Sequence, residues 1–206
     1  MRAERQKRSK QAAPLPRRSR QGSPVRAIFL VGFMGAGKST VGLALSETLN
    51  CAFEDLDDRI ERNEGRSIAE IFRTSGEAEF RRVERKALEQ ILQEVAGETA
   101  ETKIIGLGGG AFVHAGNAAL LNAAGAVTVY LDAPVDELWR RCSRQAKGQE
   151  FKRPLLQSIE QFRALCEDRR KGYLQASLRI ETARRTVTAI TEEIVEVLQL
   201  KHLQSK

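Results

Sequence analysis

The chain has 206 residues, 34 Lys and Arg against 27 Asp and Glu, a formal charge of +7 and only three cysteines. The length suits one domain with a full core. The charge is uneven: nine basic residues and one acid fall in residues 1–26, a balance of +8, which leaves −1 for residues 27–206 and denies the rest of the chain the footprint of a nucleic-acid-binding domain.

Residues 1–26 set Arg2, Arg5, Lys7, Arg8, Arg17 and Arg18 among Pro14, Pro16 and Pro24. So little apolar surface predicts a disordered tail. It contains no apolar stretch of the kind a secretory signal needs. Its composition would also suit weak contact with RNA or an anionic membrane, or an Arg-rich transit peptide. A solvated extension or an over-long gene start is the preferred reading, so no nucleic acid is required as a partner.

Ala27-Ile28-Phe29-Leu30-Val31 is a β-branched and apolar run that reads as a buried strand. Directly after it comes Gly32-Phe33-Met34-Gly35-Ala36-Gly37-Lys38-Ser39-Thr40, which fits the phosphate-binding pattern G-x-x-x-x-G-K-[ST]. In that pattern backbone N–H groups and the positive end of the next helix face a polyphosphate. Lys38 reaches the β- and γ-phosphates, and the Ser39 hydroxyl is suited to Mg²⁺, which takes hard oxygen ligands. Nucleotide phosphate binding follows.

Val41, Leu45 and Leu49 keep helical spacing, and Ala52 to Asp57 reads as a short strand ending in acids. Asp55, Asp57 and Asp58 then stand either beside the phosphate site or as helix N-caps, and spacing alone leaves both open. Residues 67–95 have a helical pattern broken near Ser75-Gly76. Arg81 and Arg82 lie on this helix. Lys103 to Leu107 and Ala126 to Leu131 read as buried parallel strands. Gly108, Gly109 and Gly110 end the first of these, where bare N–H groups and a guanidinium would suit a planar carboxylate. No Asp-Glu follows that strand, which favours transfer to a bound alcohol over hydrolysis. A short strand near Leu178 to Ile180 and a helix through Ile190, Ile194, Val195, Leu198 and Leu203 complete an α/β pattern with a parallel sheet. No segment is apolar for long enough to span a bilayer. Cys51, Cys142 and Cys166 form no C-x-x-C pair, so neither a disulfide framework nor a zinc site is expected, and a reducing cytosol is the natural compartment.

The ordered set of the phosphate loop, Asp55-Leu56-Asp57, residues 65–72, Glu79-Phe80-Arg81-Arg82-Val83-Glu84, Gly108-Gly109-Gly110-Ala111 and Arg153-Pro154-Leu155-Leu156 resembles the shikimate kinase family over residues 27 to about 200. The resemblance implies a P-loop NTPase fold of the nucleoside-monophosphate-kinase-like form, with a five-stranded parallel sheet of order 2-3-1-4-5 and a mobile lid at about 143–156. It implies transfer of the ATP γ-phosphate to the 3-hydroxyl of shikimate, with Mg²⁺, in a cytoplasmic monomer. By position, Gly35, Ala36, Gly37, Lys38, Ser39 and Thr40 hold ATP phosphates, Arg141 packs beside adenine and Arg153 is the lid arginine. Ser39, and Asp55 through water, support the metal; Asp57 receives the reacting hydroxyl; Arg81, Gly108, Gly109, Gly110 and Arg169 hold the substrate.

Two departures stand out. The family usually places an Arg four residues before a Tyr with a Pro between, whereas Arg169-Arg170-Lys171-Gly172-Tyr173 has no proline. Arg169 keeps the spacing, with Arg170 as the alternative. The lid stretch 143–152 is longer than in many relatives, so Arg141 and Arg144 could exchange roles. A gluconate or nucleoside monophosphate kinase, and a nucleotide-regulated RNA-binding protein without catalysis, are the competing readings. Neither needs Asp57, Arg81 and the triple glycine together.

Overall fold

The apolar run at Ala27–Val31 forms β1, buried at every residue, as a strand must be when it has neighbours on both edges and helices on both faces. The computed structural model describes residues 25–97, 101–146 and 158–200. After β1 come α1 (Lys38–Leu49), β2 (Ala52–Asp55), α2 (Leu56–Glu64), α3 (Ile68–Ala96), β3 (Lys103–Gly106) and α4 (Ala115–Ala123). Then follow β4 (Val127–Asp132), α5 (Val135–Ala146), α6 (Ile159–Tyr173), β5 (Leu178–Glu181) and α7 (Val187–Val197). The sheet order is β2-β3-β1-β4-β5, with every pair parallel.

Right-handed crossovers send the connection leaving β1 and the one leaving β3 to opposite sides of the sheet. The crevice between their carboxyl ends is therefore where a ligand gathers in such a fold. The core runs the length of the sheet, with Phe29, Phe33, Phe112, Phe162 and Tyr173 among its largest fully enclosed side chains.

Two sequence expectations, for β2 and for the C-terminal helix, shift by a residue or more, whereas the break in α3 falls where the pattern places it. β2 ends at Asp55, and Leu56 already belongs to α2, so Asp57 stands in a first helical turn instead of at a strand end. The reason is local: the Asp55 side chain accepts the Asp57 N–H at 3.0 Å, and this cap starts the helix two residues early. The break in α3 falls at Gly76, with φ 76° and ψ 179°. The C-terminal helix ends at Val197 with Leu198 as its cap; Leu203 lies outside the described residues. The tail at 1–24 and lid residues 147–156 also lie outside them, while 143–146 belong to α5.

An ion network ties the β2 edge to α2 and α3. Arg59 bridges Glu54 and Glu94, each at 2.8 Å, and Lys103 reaches Glu94 at 2.7 Å. Hydrogen bonds from Arg59 and Lys103 hold the Glu94 carboxyl down to about 2, below its ordinary value of 4.5. Because that shift is downward in the folded state, the stabilisation is complete above about pH 5 and is lost as pH falls through 2. Urea unfolding of Glu94→Gln should show a variant less stable at pH 7 by under about 1 kcal/mol, since Glu94 is part-exposed. Towards pH 2 the two proteins should converge; a gap independent of pH would contradict the assignment.

Candidate active site

The phosphate loop is built by backbone approach. Gly35 (φ 78°) has Cys142 Sγ and Leu138 O each 2.8 Å from where a Cβ would stand, and Gly37 (φ 95°) turns the chain into α1. Both conformations exclude ordinary side chains. Gly37 offers no side-chain cap and the first turn of α1 has no acid, so its amide dipoles present uncompensated positive charge. Lys38 Nζ lies over the loop, donating to Gly32 O at 2.9 Å and Phe33 O at 3.2 Å. Phe33 itself is buried and packs edge-on against Phe162 of α6, with ring centroids 5.0 Å apart.

Arg141 reaches this loop from α5. Its Nη1 donates to Gly35 O at 3.4 Å and Thr182 Oγ1 at 3.2 Å, its Nη2 to Thr182 O at 2.9 Å, and Glu137 holds its Nε at 2.9 Å. Arg144 is exposed on the last turn of α5. Of the two interchangeable candidates, Arg141 is the one beside the phosphate loop.

Ser39 Oγ stands 3.5 Å from Asp55 Oδ2. Mg²⁺ binds oxygens at about 2.1 Å and keeps several waters, so these two hard oxygens fall within reach of one hydrated ion. Burial raises the Asp55 carboxyl above its ordinary value, opposed by the Asp57 N–H and the Lys38 charge. A divalent cation would remove that penalty. Asp57 Oδ1 lies only 2.6 Å from the position of a Gly108 Cβ. The glycine is what lets the carboxylate rest on the end of β3.

Arg81 and Arg169 converge on the same segment from different helices. Both terminal nitrogens of Arg81 lie 3.4 Å from the Cβ position of Gly110, and those of Arg169 lie 3.5 Å from that of Gly109 and 3.6 Å from that of Gly110. The Arg169 guanidinium also sits 5.8 Å over the Phe33 ring. Arg170 turns the other way, to Asp132 at 3.4 Å. Arg82 is on the exposed face of α3, paired with Glu79 at 2.6 Å. Arg153 lies outside the described residues.

Two partners of this cluster had gone unassigned in the sequence. Glu84, 1% exposed, receives Arg81 Nη1 at 3.1 Å and Asn117 Nδ2 at 3.2 Å. Asn117 donates as well to Ala111 O at 3.1 Å, tying α4 and the glycine segment to α3. Burial pushes the Glu84 carboxyl up, with Arg81 opposing. The i, i+3 spacing of Arg81 and Glu84 was a readable signal. Asn117 gave none, because its partner is 33 residues away.

A shikimate kinase family profile matches residues 34–199. The chain belongs to the shikimate kinase family. The shikimate kinase of Persephonella marina is 38% identical over 172 residues, covering 83% of this chain and 98% of the relative. Among solved structures, shikimate kinase from Acinetobacter baumannii in complex with shikimate is 33% identical with a TM-score of 0.72, covering 85% of this chain and 93% of the other. A gluconokinase from Sinorhizobium meliloti covers 88% of this chain and 98% of its own, but at 15% identity and a TM-score of 0.54 it shares the fold alone.

This shikimate kinase family member places Lys38, Asp55 and Asp57 at or just beyond the carboxyl ends of β1 and β2, beside the glycine segment that follows β3. Among the described residues no helix is long and apolar enough to cross a membrane. No cluster of three His, Cys, Asp or Glu side chains suited to a metal occurs among them either. The contact between Asp57 and Gly108 gives a direct test. Gly108→Ala places a methyl on the Asp57 carboxylate and should lower kcat/KM about 100-fold through misplacement of that group, with the circular dichroism spectrum unchanged. Full activity in a folded Gly108→Ala protein would show that Asp57 has no fixed role.

Proposed function

We infer that this chain transfers the γ-phosphate of ATP to the 3-hydroxyl of shikimate, giving shikimate 3-phosphate and ADP in the route to chorismate and the aromatic amino acids. The observation that carries the reading is the meeting of three groups on one glycine segment: Asp57 on Gly108, and Arg81 with Arg169 over Gly109 and Gly110. Two guanidinium forks suit a carboxylate, and an acid beside them suits a hydroxyl. Gluconate also carries a carboxylate, yet the gluconokinase likeness is one of fold, whereas relatives of the shikimate kinase family match at 38% identity.

Phosphoryl transfer through a loose transition state asks chiefly for alignment and charge stabilisation. Lys38 and the amino end of α1, with Gly35, Ala36, Gly37, Ser39 and Thr40, hold the phosphates. Ser39, and Asp55 through water, would hold Mg²⁺, which when bound neutralises phosphate charge. Arg141 flanks the adenine, and Arg153, outside the described residues, is the lid arginine that meets the transferring group. A carboxylate is a weak base for an alcohol, so Asp57 orients the hydroxyl and takes its proton late. Arg81, pinned by Glu84, and Arg169 fix the acceptor carboxylate, so the ring presents one hydroxyl. The enzyme is proposed to work as a monomer in the cytoplasm.

ADP release from Mg-ATP should rise strongly with shikimate and not with gluconate or nucleoside monophosphates. Asp57→Asn should cut kcat at least about 100-fold. Arg81→Ala removes a charge-assisted contact and should raise the KM for shikimate by about 10- to 100-fold, with little change in the KM for ATP. Turnover of gluconate in preference to shikimate would overturn the assignment.

A further inference from the structure

The last turn of α6 has to fix where Arg169 points, and it does so without the proline usual in the family. Lys171 keeps an ordinary helical backbone, and α6 continues unbroken to Tyr173. Gly172 lies in this turn. A glycine inside a helix costs roughly 0.5–1 kcal/mol relative to alanine, so its presence calls for a packing reason. That reason is Val113, whose Cγ1 lies 3.1 Å, and Cα and Cβ 3.3 Å, from the position a Gly172 Cβ would take. Val113 closes the glycine segment, where Ala111 N donates to Gly108 O at 3.0 Å and His114 N to Gly110 O at 3.3 Å.

A second set of contacts grips the same turn from β4. Arg170 and Arg179 both reach the buried carboxylate of Asp132, at 3.4 Å and 2.5 Å, and Tyr130 OH donates to it at 2.7 Å. Tyr130 stacks on Tyr173, with centroids 5.3 Å apart and planes at 24°, and Tyr173 OH donates to Gly109 O. The turn is thus pressed on the glycine segment on one side and tied to the end of β4 on the other. Arg169 is one turn from Gly172, so any outward displacement of the helix end lifts its guanidinium from Gly109 and Gly110.

We propose that Gly172, by its close approach to Val113, and Arg170, by its pair with Asp132, are positioning residues that set the placement of Arg169 and thereby the affinity for the acceptor carboxylate. The proposal rests on the reading that Arg169 binds that carboxylate. The added methyl of Gly172→Ala must move either the helix or Val113, while alanine itself favours the helix. The KM for shikimate should rise about fivefold or more, with kcat and the KM for ATP within about twofold, because a displaced arginine weakens one binding contact and leaves the phosphate loop alone. Adding Val113→Ala, which removes the nearest atom, should recover most of the loss; such non-additivity is the mark of a direct contact.

Arg169→Ala is the control. If it leaves the KM for shikimate unchanged, the carboxylate reading fails and the proposal with it. If it raises that KM but Gly172→Ala does not, or if Gly172→Ala raises both KM values without recovery by Val113→Ala, the carboxylate reading stands and the positioning role is overturned. Should Gly172→Ala fail to fold, Arg170→Ala carries the test: a raised KM for shikimate, partly restored in Arg170→Lys, supports the role, and an unchanged KM overturns it.

Discussion

Leu30, Gly106 and Asp55 lie side by side across β1, β3 and β2. This parallel register decides which residues meet at the crevice, since the chain leaves all three strands within a residue or two of that row. Beyond Leu30 comes the phosphate loop, beyond Asp55 the turn that carries Asp57, and beyond Gly106 the glycine segment. A slip of one residue in any ladder would turn alternate side chains to the opposite face. It would also separate Ser39 from Asp55 and Asp57 from Gly108. The buried apolar pairs along these strands, Ile28 with Ile104 and Phe29 with Ile105, lock the row through the core.

Charge at the site is organised by depth. Glu84 is sealed beneath Arg81, and an ionised carboxylate at such depth persists only with its donors in place. It receives two, the guanidinium of Arg81 and the amide of Asn117. The cost of burying Glu84 is matched by a guanidinium already turned towards Gly110 before any ligand arrives, which lowers the entropy lost on binding. Asp132 does the corresponding job at the end of β4, where Tyr130, Arg170 and Arg179 share it.

Features set by short stretches of chain were legible in the sequence. The strand, glycine turn and helix around residues 27–49, the break at Gly76 and the alternation of strands and helices each depend on neighbours in the chain, and each appears where expected. Asp57 shows where that reading stops. The acids at 55–58 were visible, but whether the helix began before or after Asp57 turned on one hydrogen bond, donated by the Asp57 N–H to the Asp55 cap. Glu84, Asn117 and Asp132 were harder still, because their importance comes from partners on other elements. The choice between Arg169 and Arg170 likewise needed Phe33 and Asp132 in space.

Val25 joins the folded domain at the amino end of β1, where its carbonyl accepts from Thr102 Oγ1 at 3.1 Å, while every group that handles ligand stands at the carboxyl ends of the strands. Five residues of extended strand, at roughly 3.3 Å each, separate the two. A partner joined directly to Val25 in place of residues 1–24, whether a solid support, a fluorescent reporter or a second enzyme, therefore starts from behind the sheet. The mouth of the crevice is left facing away from the attachment.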